Sequence, residues 1–129
     1  MSLAHIDMNS APSTPAPDRV FNLLINWAAI MEIGVCLAEN IHFRGERANG
    51  LYRCRNGRRM IYLSKRLKGR ELRFALMHEL AHAILHAGKL GLRYREDAEY
   101  RRQLEAEADC YAERILTNLE RNRAAQGVG

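Results

Sequence analysis

Met77-His78-Glu79-Leu80-Ala81-His82 lies inside an apolar run, Leu72 to Leu85, whose spacing predicts a helix throughout. Residues four apart on an α-helix are separated by about 40° around the axis and about 6 Å along it. His78 and His82 can therefore aim two imidazoles at one ion from the same face. Glu79 follows the first of them directly. Its carboxylate is then beside such an ion rather than on it, placed to take a proton from a polarised water. The pattern fixes few positions and also arises by chance on solvated helix faces, so its surroundings decide. Phe74, Ala75, Leu76, Leu80, Ala81, Ala83, Ile84 and Leu85 are apolar almost all round, which predicts a largely buried helix. Unpaired polar groups in such a place are costly, and a zinc ion would partner them.

A catalytic zinc takes three protein ligands and keeps a fourth position open. His86 shares a face with His78 and His82, but eight residues of unbroken helix rise about 12 Å, beyond one coordination sphere. Gly88, which would break the helix, comes after His86, so His86 reads as a polar or supporting residue. The third ligand is expected from Leu104-Glu105-Ala106-Glu107-Ala108-Asp109. Glu105 and Asp109 share one face of a helix, while Glu107 is turned from them by about 160–200°. Glu105 can coordinate, and Asp109 can accept a hydrogen bond from the outer nitrogen of a ligand histidine. In isolation this stretch is a solvated acidic face. Small Ala106, Ala108 and Ala112 let one side pack closely, and two carboxylates opposite two buried histidines favour the metal.

Outward from these motifs, residues 1–17, with Pro12, Pro15 and Pro17 and no periodicity, read as a disordered leader that also holds His5. Asp18 is the expected cap of a helix from Arg19 to Ile33, with Val20, Leu23, Leu24, Trp27, Ile30 and Met31 on one stripe and Gly34 as the stop. Val35–Ala38, Ala48–Arg53 and Arg59–Leu63 are expected strands, the last two joined at Asn56-Gly57. His42 falls in the link between the first two and reads as a surface residue. The motif helix begins near Arg70 and ends by Gly88, and a last helix spans Asp97–Arg121. The expected fold is α+β: an N-terminal helix, a three-stranded antiparallel sheet, the motif helix and a C-terminal helix. One domain covers 18–124, and 125–129 form a tail.

With 47% apolar and 27% charged residues, the composition is that of an ordinary globular domain. No apolar run approaches the roughly 20 residues of a membrane span, and no signal peptide is expected. Cys36, Cys54 and Cys110 are odd in number and widely spaced, which argues against a disulfide framework and for a reducing cytoplasm. The net charge is +5, with basic residues concentrated between Arg44 and Arg73 and acids between Glu96 and Glu120. Such a basic segment raises nucleic-acid binding, but solvated loops and strand edges are its commoner use.

With those residues in place, the chain resembles the ImmA/IrrE family of small zinc metallopeptidases. The likeness rests on His78-Glu79-Leu80-Ala81-His82 followed by Ala83-Ile84-Leu85-His86. It rests equally on Glu105-Ala106-Glu107-Ala108-Asp109 followed by Cys110-Tyr111-Ala112. The resemblance implies a zincin-like fold, zinc held by His78, His82 and Glu105, and Glu79 as general base. It also implies a cytoplasmic endopeptidase acting on a regulatory protein such as a transcriptional repressor. Ile115-Leu116-Thr117-Asn118 stands where many relatives have Leu-Leu-Met-Pro, and no helix-turn-helix region is fused, which points to a separate partner. Tyr94, Tyr100 and Arg93 are candidates to stabilise an oxyanion, and Arg59–Leu63 is the expected edge strand for a substrate. Two other readings remain. One is a binding protein braced by the metal, marked by a fourth protein ligand; the other is a nucleic-acid-binding module using residues 44–73.

Overall fold

A computed structural model describes residues 18–126. The leader expected at 1–17 and the last three residues of the expected tail lie outside the described residues. Asp18 caps α1 (Arg19–Ile30), its side chain accepting from the Phe21 N–H at 2.9 Å. The helix stops earlier than Gly34. Glu32 takes a left-handed conformation (φ 61°) and turns the chain straight into β1 (Ile33–Ala38). Gly34 is instead a strand residue, over which the Met60 side chain lies: a Cβ there would sit 2.5 Å from Met60 Sδ and make that side chain move.

A small hairpin absent from the sequence reading follows, β2 (His42–Phe43) with β3 (Glu46–Arg47). Then come β4 (Gly50–Arg55) and β5 (Arg58–Ser64), joined by Asn56-Gly57. Both turn residues have positive φ (54° and 78°), as a two-residue hairpin of this hand requires. The sheet order is β1-β5-β4, with β4 antiparallel to β5 and β1 parallel to it. The sheet is thus mixed, not wholly antiparallel. Arg59–Leu63 is its central strand, and the edge beside the site is β4. The reason is burial: Ile61 and Leu63 of β5 are fully enclosed and take the middle.

The remaining chain forms α2 (Gly69–Leu85), a short α3 (Leu92–Glu96) and α4 (Ala98–Gln126), which runs past the expected Arg121. The α2 helix is central, touching α1, β4, β5 and α4. Its Leu76, Met77 and Leu80 join Leu24 of α1, Ile61 and Leu63 of β5 and Leu116 of α4 in one core. Each such side chain stabilises the fold by about 1.5–3 kcal/mol. Trp27 packs against this core, whereas Leu23 and Ile30 of the same expected stripe face outward. On α4 the buried positions Leu104, Ala108, Ala112 and Leu116 recur every fourth residue. The two alanines bring its backbone close to α2, so side chains on facing turns meet. At the other end of α2, Arg73 pairs with Asp18 and Glu120, at 2.9 and 3.0 Å. No helix among the described residues is long and apolar enough to cross a membrane.

Candidate metal centre

The close packing of α2 on α4 brings His78, His82 and Glu105 together. Their donor atoms all lie within 4.8 Å of one another. One Glu105 oxygen is 3.0 Å from His78 Nε2, and the other is 2.9 Å from His82 Nε2. A tetrahedral zinc with bonds of about 2.0–2.1 Å spaces its ligands by about 3.3–3.4 Å. The two Glu105 contacts lie within a few tenths of an ångström of that spacing, and the three donors together are close enough to converge on one ion. Among the described residues no fourth histidine, cysteine or carboxylate joins the group.

The outer nitrogens are arranged to leave both Nε2 atoms facing that point. His78 Nδ1 lies 2.7 Å from Asp109 Oδ1, though off the line of its N–H, so the contact is an ion-pair approach rather than a directed hydrogen bond. His82 Nδ1 lies 3.0 Å from His86 Nδ1, and His86 Nε2 lies 2.8 Å from Glu107 Oε1. If His82 Nε2 faces an ion, its Nδ1 carries the hydrogen and donates to His86 Nδ1. His86 then donates through Nε2 to Glu107. Every atom in the chain is satisfied with neutral imidazoles. His86 caps the C-terminal end of α2 and is 1% exposed. It does not reach the centre, as its distance along the helix requires, but it does hold His82. Glu107 is turned from Glu105 yet finds His86, a partner the sequence reading missed; the clue was a histidine one turn beyond the first motif and an extra acid inside the second.

Glu79 is buried on the same helix under β4. A Cβ on Gly50 would come to 3.0 Å of Glu79 Oε2 and 3.3 Å of the Tyr62 carbonyl, so any larger residue there crowds the carboxylate. Burial pushes Glu79 up to about 7, against the pull of His78 and the Tyr52 N–H. Burial also resists a proton on His78, but the Glu105 bond and the charges of Glu79, Glu105 and Asp109 outweigh it and raise His78 to about 9. His82, desolvated and beside two other histidines, is lowered. For Glu105, bonds from His78, His82 and Tyr94 overcome burial and hold it well below the usual carboxylate range.

Tyr94, on α3, donates its hydroxyl to Glu105 Oε2, and burial with that carboxylate keeps the phenol protonated. Arg101 fixes this short helix by donating to the Tyr94 carbonyl at 2.8 Å. Of the other oxyanion candidates, Arg93 lies 3.9 Å over the Tyr100 ring and forms no part of the metal group. His42 is exposed and outside it too.

Two cavities flank the centre along β4. One, about 550 Å³, is lined by Phe74, Arg70 and Glu113 with His78, Glu79 and Glu105. The other, about 680 Å³, is lined by Phe43, Leu90 and Tyr94 with Glu79, His82 and Glu105. The arrangement offers a cation site, a buried carboxylate of raised pKa, a phenol donor and an open strand edge. That is the equipment of a hydrolase acting on an extended chain. No curated protein and no solved structure matches the chain. The family model of the IrrE N-terminal-like domain of the M78 peptidases matches residues 38–127, which takes in β4, β5 and the three helices that follow, and the protein belongs to that peptidase family.

Proposed function

We propose that the protein is a zinc-dependent endopeptidase cutting an extended segment of another protein, a regulatory protein such as a repressor being the kind of target the family resemblance implies. The observation that carries this is the Glu105 carboxylate held between two imidazole Nε2 atoms, with Glu79 enclosed beside them. His78, His82 and Glu105 would hold the ion. When bound, zinc supplies Lewis-acid polarisation of water and of the scissile carbonyl. Glu79 accepts the proton of the attacking water and returns it to the leaving amine. Tyr94, whose hydroxyl already points into the centre, donates to the carbonyl oxygen as charge develops on it. Asp109 sets its charge beside His78 Nδ1; Glu107, through His86, orients His82.

The substrate strand adds to the free edge of β4, since β5 is enclosed on both sides. The metal-braced alternative is disfavoured by the donor set of three, since a structural zinc takes four protein ligands. The test is a single zinc per chain, with peptide hydrolysis lost to a chelator and restored by zinc. Zinc-loaded protein that cuts neither unfolded protein nor a peptide library would overturn the proposal.

Two further outcomes are expected. His86→Ala should weaken zinc binding by about 10–100-fold, read by chelator competition, because His82 loses the partner that fixes its tautomer. Unchanged affinity would make His86 a packing residue only. The second concerns pH. Glu79 must be ionised to accept a proton, so activity is lost as pH falls through its pKa. That pKa is about 7 without metal, and a neighbouring dication lowers it. The acid limb of kcat/KM should therefore lie below pH 7, and a limb well above 7 would contradict Glu79 as the base.

A further inference from the structure

The edge of β4 leads away from the metal centre into another cleft, about 540 Å³, walled by Arg44, Arg53, Arg59 and Arg95 with Phe43 and Leu90 between them. No acidic residue lines it. It is continuous with the cavity over His82 and Glu105, because Phe43, Leu51, Tyr52 and Leu90 line both. Among the described residues none of the four arginines takes part in an ion pair. Arg44 donates to the Arg95 carbonyl at 2.6 Å, Arg59 donates to the Met31 carbonyl, and Arg53 lies 5.6 Å from the Tyr62 ring centre. Those contacts hold the guanidinium groups of Arg44, Arg53 and Arg59 without neutralising them, and Arg95 takes part through its carbonyl alone. The cavity at the opposite end of the centre has the reverse character. Glu71, Asp109 and Glu113 line it, and its one arginine, Arg70, is already paired with Glu113 and Glu120.

This polarity has a direction. β4 runs from Gly50, against Glu79, toward Arg55. A strand added antiparallel, the more stable ladder, runs the other way and reaches the arginines with the residues that precede its scissile bond. Arg53 is three positions beyond Gly50, about 10 Å along a strand, so the matching substrate residues lie about three to five before the bond. Resting on the peptidase reading above, we propose that the substrate is an acidic peptide segment, its carboxylates upstream of the cut and seated on Arg44, Arg53, Arg59 and Arg95. Nucleic-acid phosphates would also suit arginines. However, the cleft follows a strand edge whose main-chain groups match a peptide, and it opens onto a carboxylate-lined centre that repels phosphate.

The test uses the zinc-loaded Glu79→Gln chain, which need not cleave, and fluorescein-labelled twelve-residue peptides read by anisotropy. The peptides share an apolar middle and carry a glutamate block before it, the same block after it, or a lysine block before it. The upstream-glutamate peptide should bind about tenfold tighter than the lysine one, the sum of several modest exposed charge contacts, and the gap should shrink as salt rises. An Arg53→Glu, Arg95→Glu double variant of normal zinc content should reverse the preference. Binding blind to charge, a preference for downstream glutamates, or tighter binding of an oligothymidine than of the acidic peptide would overturn the proposal. Wild-type cleavage of the same peptides separates the two readings. Cutting without charge preference removes the acidic-substrate proposal and leaves the peptidase; charge-selective binding without any cutting does the opposite.

Discussion

Glu79→Gln is expected to lower peptide hydrolysis by at least the ~10²–10⁴-fold that a positioned general base contributes, while the purified chain keeps its zinc. Gln is nearly isosteric, so it fits the space that Gly50, lacking a Cβ, leaves for the carboxylate. It cannot accept the proton from water, and it takes no part in the three-residue donor group. The fold should tolerate the change well. Burial raises Glu79 from 4.5 to about 7, so the metal-free folded chain binds this proton more readily than the unfolded chain. Ionising it therefore costs stability progressively as pH rises from 4.5 through about 7. A neutral amide escapes that cost, and above pH 7 the metal-free variant should melt no lower than the parent. Retention of full activity with zinc bound would remove Glu79 from the proposed chemistry.

Glu105→Ala is expected to cost more zinc affinity than the ~10–100-fold of losing a supporting group, because it removes the acid that faces both imidazoles at 3.0 and 2.9 Å. It also leaves the Tyr94 hydroxyl without its acceptor. In the metal-free parent, His78 holds a proton against Glu105 up to about pH 9, and zinc must displace it. Affinity should therefore climb by about tenfold per pH unit below that value; Glu105→Ala should flatten this slope as well as lower the curve. The same pair stabilises the metal-free fold. The His78 contribution is fully present below its ordinary 6.5 and lost as pH rises through about 9, whereas that of Glu105 is present above 4.5 and lost as pH falls below it. Chelator competition at several pH values, with melting curves of the metal-free chains, measures both effects. Undiminished zinc binding in Glu105→Ala, with loss in Glu107→Ala, would move the third ligand to Glu107.

Local rules read from the chain account for much of this architecture. Asp18 caps its helix, Asn56-Gly57 makes its hairpin, and the Leu72–Leu85 run forms a buried helix, because each depends on residues a few positions apart. The fourfold spacing that puts His78 and His82 on one face, or Glu105 and Asp109 on another, is equally local. Glu32 turning the chain after α1 in place of Gly34 marks the limit of that logic, since Gly34 pairs within β1, under the Met60 side chain.

What the amino-acid order determined alone was the set of chemical groups and which of them share a helix face. What only the packed chain decided was which faces meet. β5, with Ile61 and Leu63 fully enclosed, stands between β1 and β4, which leaves the edge beside the centre to β4 and its arginines. Ala108 and Ala112 draw α4 close to α2, and that approach, not any spacing, carries Glu105 to two imidazoles and Glu107 to His86. Periodicity encodes direction around one axis; distance between axes depends on side-chain volumes contributed by both.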